Sequence, residues 1–543
     1  MPTSPPRLFH NGRVFTASPA YVGRPWADSF VVVGERIAYA GSAATAERIA
    51  GADAEAIDLD GALVIPGIVD AHAHVLMTGE TAGQADLQGL TDVAEVERRI
   101  RAWAAQDPTA PRVRAYGWQH AASPTTGANR QWLDSLVADR PLIVQTGDFH
   151  SILLNTAALR ELGIDATTRD PAGGEIQRDA AGEPTGYIDE TALQQIVWPR
   201  LAALGTDADT DRHLAAVLDG YRRHGITTAV DMALGESDLA AMLRAEAPGE
   251  LTTRIVGHWL VEALEDGVAR LAQVERAIEL HRRHQGSRLR VTGIKLILDG
   301  TVDGCTAAVD KPYANGKNPG PIWDPEMLAP VMAMADAAGL QVAMHAIGDE
   351  AVRIAIGAVE HAIAVNGPKH RRHRIEHLEV VDNADLHRLA ALGIAASMQP
   401  VHADPAVQEN WRAMLGDERV DRGFPWPEVT DADARLVFGT DSPTAPFQPL
   451  QNMYVAATRR SALVPDLPPN LEKYAVPLTE ALVHATRDAA WACHGEAEIG
   501  SLSAGCRADF AILDRDVFAG APEDLLRAEV VATYLDGTEV YAR

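Results

Sequence analysis

Cysteine is scarce in this chain. Only three occur in 543 residues, and Cys305, Cys493 and Cys506 lie too far apart for a C-x-x-C metal site or a disulfide framework. The first residues also lack the basic stretch and apolar run of a secretory signal. Together these absences favour a reduced, cytoplasmic setting.

The chain also lacks long apolar runs and has fewer basic than acidic residues. No segment has the length and apolarity of a membrane span. The chain carries 75 Asp and Glu against 48 Lys and Arg, a net charge of −27. Such a surface repels phosphate groups, which argues against nucleic acid and anionic membranes as partners. A small-molecule substrate is the expected partner, and a homo-oligomer stays open.

Several catalytic motifs are missing as well. The sequence has no GxxxxGK[ST] phosphate loop and no GxGxxG dinucleotide fingerprint. It has no GxSxG elbow for a serine nucleophile, and nothing pairs Cys305 with a base. These gaps exclude the common nucleotide-binding and serine-hydrolase classes.

The two ends of the chain resemble each other. Short β-type runs with Asn-Gly, Gly-Glu or Asp-Gly turns fill the first segment, and ADFAILDRD and EVVATYLDGTEVYAR follow the same pattern near the end. We predict one small β-sandwich domain built from residues 1–63 and 497–543.

The middle alternates apolar strands with amphipathic helices, the pattern of a parallel (β/α)8 barrel of the TIM type. We assign the barrel to residues 64–77 and 221–496. Its eight predicted strands are Val64–Ala71, Thr227–Asp231, Arg254–His258, Thr292–Leu298, Gln341–His345, Arg374–His377, Ile394–Met398 and Leu436–Thr440.

The first two barrel strands are separated by about 150 residues, more than one helix and its loops require. This stretch holds its own β-like run, RPLIVQTGDFH, and Gly/Pro-rich loops. We therefore predict that residues 78–220 form an insertion domain at the carboxyl end of the barrel strands.

The motif VIPGIVDAHAHV carries the sharpest chemical signal. It ends a β-type run with His72 and His74, and residues two apart in a strand point to the same face. Both imidazoles could reach one ion where barrel enzymes place their chemistry. The alternative is two unrelated histidines at a strand end.

Three further polar residues follow apolar runs in the same way. They are His345 in QVAMHAIGD, His377 in RIEHLEVV and Asp441 in RLVFGTDSP. Imidazole nitrogens and carboxylates are normal ligands of zinc and similar divalent ions. Because the ends of barrel strands converge, the whole set predicts one metal site.

Lys295 is unusual because lysine is rare here, yet it lies inside the apolar run VTGIKLILDG. A buried ammonium is costly unless it is paired or neutralised. One interpretation pairs it with Asp299 or another buried acid. The other keeps the amine neutral, so that it can react with CO2 to form a carbamate that bridges two metals.

In their order, these motifs resemble the amidohydrolase superfamily. DGTVDGCTAAV, GDFHSILLNTAAL and GEPTGYIDE resemble its family-3 branch, that of the N-substituted formamide deformylase-like hydrolases, and the similarity runs from HNGRVFT to GCRADFAILD. The resemblance implies one or two divalent ions, with zinc expected, bound by His72, His74, carboxylated Lys295, His345, His377 and Asp441. It also implies that Asp441 is the catalytic proton shuttle.

Other residues are candidates for the substrate pocket. His150 in the DFHS motif resembles a substrate-contacting histidine of this branch, and Trp118 and Trp323 could wall an apolar site. Cys305 departs from the resemblance, because related sequences often carry Arg or His in this segment after the lysine, so the resemblance does not carry their substrate specificity over to this chain. Asp349 and Glu376 flank predicted ligands, and either could orient an imidazole.

The resulting expectation is hydrolysis of a carbon–nitrogen bond, in a linear amide or an N-formyl or N-acyl compound, by a metal-bound hydroxide. The same centre could instead hydrolyse an ester, carbamate, lactone or cyclic amide, or deaminate its substrate. A non-catalytic barrel is a third interpretation, but all six ligand positions are filled here.

Overall fold

The computed structural model describes residues 5–19, 25–171 and 173–543. In chain order the strands are β1 (Arg7–His10), β2 (Arg13–Phe15), β3 (Trp26–Ala27), β4 (Ser29–Val33), β5 (Arg36–Gly41), β6 (Glu55–Asp58), β7 (Leu63–Pro66), β8 (Ile68–Ala73), β9 (Ala85–Asp86), β10 (Val113–Trp118), β11 (Leu142–Thr146), β12 (Ser151–Leu154), β13 (Ile176–Arg178), β14 (Pro184–Asp189), β15 (Ile226–Leu234), β16 (Arg254–Leu260), β17 (Leu289–Ile297), β18 (Gln341–Ala346), β19 (Arg374–His377), β20 (Ala395–Met398), β21 (Arg435–Phe438), β22 (Phe510–Leu513), β23 (Val530–Leu535) and β24 (Thr538–Ala542).

The α-helices are α1 (Ala43–Ala50), α2 (Val75–Thr81), α3 (Val93–Gln106), α4 (Arg130–Leu136), α5 (Thr156–Glu161), α6 (Glu190–Ala192), α7 (Trp198–Ala202), α8 (Asp207–Arg223), α9 (Glu236–Glu246), α10 (Gly267–Arg283), α11 (Pro325–Ala337), α12 (Asp349–Asn366), α13 (Asn383–Leu392), α14 (Pro405–Leu415), α15 (Trp426–Asp431), α16 (Pro449–Thr458), α17 (Leu478–His484), α18 (Arg487–Ala492) and α19 (Asp524–Arg527). None of these helices, within the described ranges, is long and apolar enough to cross a membrane.

The centre of the molecule is a parallel sheet of eight strands in the order β8, β15, β16, β17, β18, β19, β20, β21. The predicted (β/α)8 barrel is therefore confirmed. Its seam closes beyond the last strand, where the Asp441 N–H donates to His72 O over 2.7 Å and the His74 N–H donates to Ser442 O over 2.9 Å. A Cβ at Gly439 would lie 2.4 Å from His72 N, so a larger residue there would push the seam apart.

The first predicted strand, Val64–Ala71, is wrong in its bounds because the structure divides this stretch at Gly67. Residues of β7 pair with β2 and β22, whereas β8 pairs with β15 in the barrel. A Cβ at Gly67 would meet Thr227 Oγ1 at 2.1 Å, so only glycine permits this close passage from one sheet to the next.

The predicted sandwich of both chain ends is present. Its two sheets run β5-β4-β1-β6 and β24-β23-β22-β7-β2-β3, so strands from both ends of the chain share one sheet. Between them lies an aromatic core, in which Phe9 stacks on Phe30 at 4.6 Å and Phe510 stacks on Tyr534 at 4.4 Å between ring centroids. Stacked and edge-to-face rings bury much apolar area in a small volume.

A fourth sheet, β13-β14-β12-β11-β10-β9, lies in the insertion between α2 and α8. Apolar side chains of α3, α4, β10 and β11 form a hydrophobic core of its own. The loop after β11 carries Asp148 and His150 to the same cavity that His345 and His377 of the barrel line. The insertion therefore covers the carboxyl ends of the barrel strands.

Candidate metal centre

The six residues predicted to bind metal all come from the barrel. His72 lies near the end of β8 and His74 directly follows that strand, Lys295 is within β17, His345 is in β18, His377 ends β19 and Asp441 follows β21. His377 and Asp441 have φ angles of 77° and 58°, in the left-handed backbone region that non-glycine residues rarely adopt. Such strained residues cluster at functional sites.

His72 and Asp441 meet at the seam of the barrel. Asp441 Oδ1 lies 3.2 Å from His72 Nε2 and 3.1 Å from His74 Nε2. Yet this buried oxygen has no hydrogen-bond partner among the described residues. His72 Nδ1 donates a hydrogen bond to Glu376 Oε2 over 2.7 Å, so Nε2 of a neutral ring turns its lone pair toward Asp441 and toward Lys295 Nζ, which lies 3.3 Å away. A cation in this gap would satisfy both atoms.

The protonation states in this cluster suit a metal. Burial lowers the pKa of His72. Burial and the neighbouring His150 lower the pKa of His345 well below the usual range, and burial and His345 do the same to the pKa of His377. Burial would raise the pKa of Asp441, but a proton on a neighbouring imidazole, above all that of His72, outweighs it and holds that pKa well below normal. Neutral imidazoles and an ionised carboxylate are what a divalent ion requires.

Lys295 is buried, with 2% of its surface exposed. Burial lowers the pKa of its ammonium to about 8, although the carboxylates of Glu376 and Asp441 oppose that shift. Its Nζ lies 3.3 Å from His72 Nε2 and forms no ion pair with a carboxylate in the described part of the chain. Asp299 instead accepts N–H bonds from Ile347, Gly348 and Ala308, so it is not the partner of Lys295.

His345 and His377 lie side by side. Their ring centroids are 4.4 Å apart, and the His377 ring is 4.9 Å from that of His72. His377 Nδ1 donates to Gln399 Oε1 over 2.8 Å, which leaves Nε2 free for a ligand. His72, His377 and Asp441 offer ligand atoms that all lie within 4.8 Å of one another, and His377, Glu379 and His402 form a second group of this kind. These distances let one ion, with small side-chain shifts, bind several of the predicted residues.

The two flanking acids have different roles. Glu376 is fully buried, holds His72 through Nδ1 and is itself held by Arg374, whose Nη2 lies 3.0 Å from Glu376 Oε2. Burial would raise the pKa of Glu376, but Arg374 and His72 keep it ionised. Asp349, the first residue of α12, forms no hydrogen bond with these histidines in the described residues and accepts one from the Asp310 N–H.

A cavity of about 320 Å³ opens beside the cluster, and its wall includes His345, His377 and Asp441. Trp118 and His150 also line it. His150 Nδ1 bonds Glu190 Oε2 at 2.9 Å, which outweighs burial and raises the pKa of His150 to about 9. A charged imidazole at the wall can donate to a substrate oxygen.

Two of the predicted pocket residues do not line this cavity. Trp323 is 1% exposed and packs in the main hydrophobic core. Cys305 is buried with its sulfur 3.2 Å from Met414 Sδ. Both side chains pack in the protein interior, as tryptophan and free cysteine often do.

The sequence analysis missed another imidazole of the cavity wall, that of His402. His402 Nε2 lies 3.4 Å from Asp441 Oδ2, while its Nδ1 bonds Glu379 Oε1 at 2.9 Å. The same rule of polar residues after a barrel strand could have found His402, because it follows β20 in the run QPVH. That rule does not indicate Glu379, because the polar residue at the end of β19 is His377, which already had a role.

Three comparisons bear on this site. The sequence profile of the amidohydrolase family matches residues 55–541. The putative amidohydrolase YtcJ of Bacillus subtilis (strain 168) is 30% identical over 509 residues, covering 92% of each chain. N-substituted formamide deformylase of Arthrobacter pascens is 28% identical and covers 95% of each. The crystal structure of an uncharacterised metal-dependent hydrolase from Pyrococcus furiosus superposes with a TM-score of 0.72 at 26% identity, over 94% of this chain and 99% of that one.

The Glu376–His72 hydrogen bond generates a testable prediction. Glu376→Gln should lower zinc affinity by about 10- to 100-fold, because the amide no longer fixes the tautomer and orientation of His72. Metal competition titrations measure this change. Glu161→Gln is the matched control, since Glu161 also pairs with an arginine, Arg112 at 2.7 Å, but touches no histidine. Equal zinc affinities in a folded Glu376→Gln protein and the control would contradict it.

Proposed function

The chain belongs to the amidohydrolase family, and on that premise we propose that it hydrolyses a carbon–nitrogen bond in a small linear amide, of the N-formyl or N-acyl type. It is a metal-dependent hydrolase by family. The observation that carries the substrate-bond proposal is the cavity that opens directly on Asp441, His345 and His377. A relative of nearly equal length acts on N-substituted formamides, as its name states.

We assign the metal to the cluster of His72, His74, Lys295, His345, His377 and Asp441, with zinc as the ion and one or two ions per chain. The fit is supported by the unpartnered Asp441 Oδ1 facing two imidazole nitrogens. Nitrogen and carboxylate donors of this kind suit zinc. A bound divalent ion lowers the pKa of a coordinated water and polarises a carbonyl group.

Lys295 would join this set as a carbamate. Its amine is buried beside His72, has no carboxylate partner among the described residues and lines a small second cavity together with His345, His377 and Asp441. The neutral amine would add to the carbon of CO2 and release its proton to solvent, giving an anionic carbamate. Two carbamate oxygens can bridge two cations, which an ammonium cannot do.

The remaining chemistry falls to side chains of this chain. Asp441 would accept the proton of the attacking water and return it to the leaving nitrogen. His402 lies 3.4 Å from Asp441 Oδ2 and His150 lies across from His345 at 5.2 Å between ring centroids, so both face the space where the amide would be placed. Their N–H groups would hold the carbonyl oxygen and orient the substrate.

Removing and restoring the metal tests the proposal. Dialysis against a chelator should abolish hydrolysis, and zinc should restore it, when the enzyme is assayed on matched N-formyl, N-acyl, cyclic amide and ester substrates. We expect the highest kcat/KM with a linear amide. Full activity in a metal-free preparation, or a preference for the ester or the cyclic amide, would overturn it.

The role of Asp441 can be tested separately. Asp441→Asn should lower kcat by about 100-fold or more, because the amide can neither accept nor return the proton. Steady-state kinetics at saturating zinc measure this effect, with metal content determined on the same sample. Asp421→Asn is an exposed control that removes the same charge, and it should leave kcat unchanged. A zinc-loaded Asp441→Asn enzyme with wild-type kcat would remove Asp441 from proton transfer.

A further inference from the structure

His150 is an imidazole of the cavity wall that comes from the insertion and not from the barrel. It lies between β11 and β12, and its ring centroid is 5.2 Å from that of His345. It lines both the large cavity and the smaller one that Lys295 shares. A side chain on a loop needs support from its surroundings if it is to contact a ligand in one orientation.

The backbone of His150 is fixed by Asp148. Asp148 Oδ1 accepts the His150 N–H at 3.1 Å and the Thr146 hydroxyl at 2.6 Å, while Oδ2 accepts the Thr301 hydroxyl at 3.0 Å. Thr301 lies in the loop after β17, so this carboxylate joins the insertion to the barrel. These bonds fix the main chain at His150, but they do not select a rotamer for its ring.

Glu190 is the residue that holds the ring. The antiparallel pairing of β12 with β14 sets Ser151 opposite Asp189, so His150 and Glu190 are the next pair along, and the Glu190 N–H donates to His150 O over 2.9 Å. Opposite residues of this kind bring their side chains together. His150 Nδ1 donates to Glu190 Oε2 over 2.9 Å.

The Glu190 side chain has no other polar partner within the described ranges. It is buried, with 5% of the residue exposed, and it forms neither an ion pair with lysine or arginine nor a second hydrogen bond. Its φ of 45° lies in the left-handed region, a strained conformation that tertiary contacts must maintain. A buried carboxylate whose one partner is a cavity imidazole points to a role through that imidazole.

The opposite edge of the His150 ring is available to a ligand. Because Nδ1 is bonded to Glu190, Nε2 points away from that carboxylate, and Nε2 forms no hydrogen bond in the described part of the chain. The side chain keeps 14% of its surface exposed and lines the cavity. A ring already held in one orientation loses less entropy when that edge contacts a substrate.

We propose that Glu190 is a positioning residue, which holds the Nε2 edge of His150 toward the carbonyl group of the substrate. The inference rests on the proposed function for the bond that is cleaved. Both residues of the pair belong to the insertion, so the insertion takes part in the reaction as well as covering the barrel. Neither residue is among the six assigned to the metal, so zinc content should not depend on the pair.

A double-mutant cycle on kcat tests this role. Glu190→Gln should lower kcat by about tenfold with KM within about threefold, because an amide accepts more weakly and can turn its NH2 group toward Nδ1. His150→Ala should lower kcat by about 100-fold. Adding Glu190→Gln to His150→Ala should lower kcat no further, whereas a residue with an independent structural role would multiply the two losses.

Glu183→Gln is the matched control for the cycle. Glu183 is an exposed glutamate in the turn between β13 and β14 of the same insertion, and its variant should keep the wild-type kcat. The assay uses the amide or ester that the zinc-loaded enzyme hydrolyses fastest, so a preference for the ester overturns the proposed bond without affecting this test. Wild-type kcat in Glu190→Gln, or losses that multiply, would overturn the positioning role and leave the proposed function standing.

Proton NMR tests the pair without turnover. An imidazole N–H that is bonded to a buried carboxylate exchanges slowly with water and resonates far downfield, since such bonds are strong. The wild-type protein should show one such resonance that is absent from His150→Ala, retained in Glu183→Gln and shifted or lost in Glu190→Gln. If no downfield resonance depends on His150, the positioning role is overturned, and that result needs neither hydrolysis nor a folded Glu190 variant.

Discussion

The site depends on one electrostatic constraint at the barrel seam. Glu376, held by buried Arg374, accepts a hydrogen bond from His72 Nδ1 and so turns the unprotonated Nε2 toward Asp441 Oδ1 at 3.2 Å. Lys295 Nζ lies 3.3 Å from the same nitrogen and His74 Nε2 lies 3.1 Å from the same oxygen, so several metal-ligand atom types face one small space. Folding brings these atoms together, and the arrangement suits a cation.

The architecture explains how these side chains are held close together. Backbone hydrogen bonds from Asp441 to His72 and from His74 to Ser442 close the barrel at the point where the ligands meet. The same contacts fix the positions of these candidate ligands and the closure of the sheet. Gly439 is required at this seam because any side chain would collide with His72 N. Rigidity here reduces the cost of holding charged and polar groups in place.

Much of the fold was predictable from the sequence because strand and helix periodicities are local. The eight barrel strands and the sheet shared by both chain ends follow from apolar runs and turn residues alone. The division at Gly67 did not, since it depends on a contact with Thr227, which is distant in sequence. The rule of polar residues at strand ends gives His72, His345 and Asp441, and it extends to His402 after β20. Glu379 follows a histidine already assigned, so its place at the cavity depends on the path of the loop after β19. Trp323 and Cys305 were expected at the pocket but lie in the main hydrophobic core, because residue type alone does not distinguish a cavity wall from a core.

The most direct test is an anomalous-difference map at the zinc edge from crystals of the active enzyme. The account predicts a peak about 2.0–2.2 Å from both His72 Nε2 and Asp441 Oδ1, with density for a carbamate continuing from Lys295 Nζ. An active enzyme with no peak between those two atoms would contradict it, since the lone pair and the carboxylate would then need no cation. A peak there with a bare Lys295 amine would retain the metal site but remove the bridge.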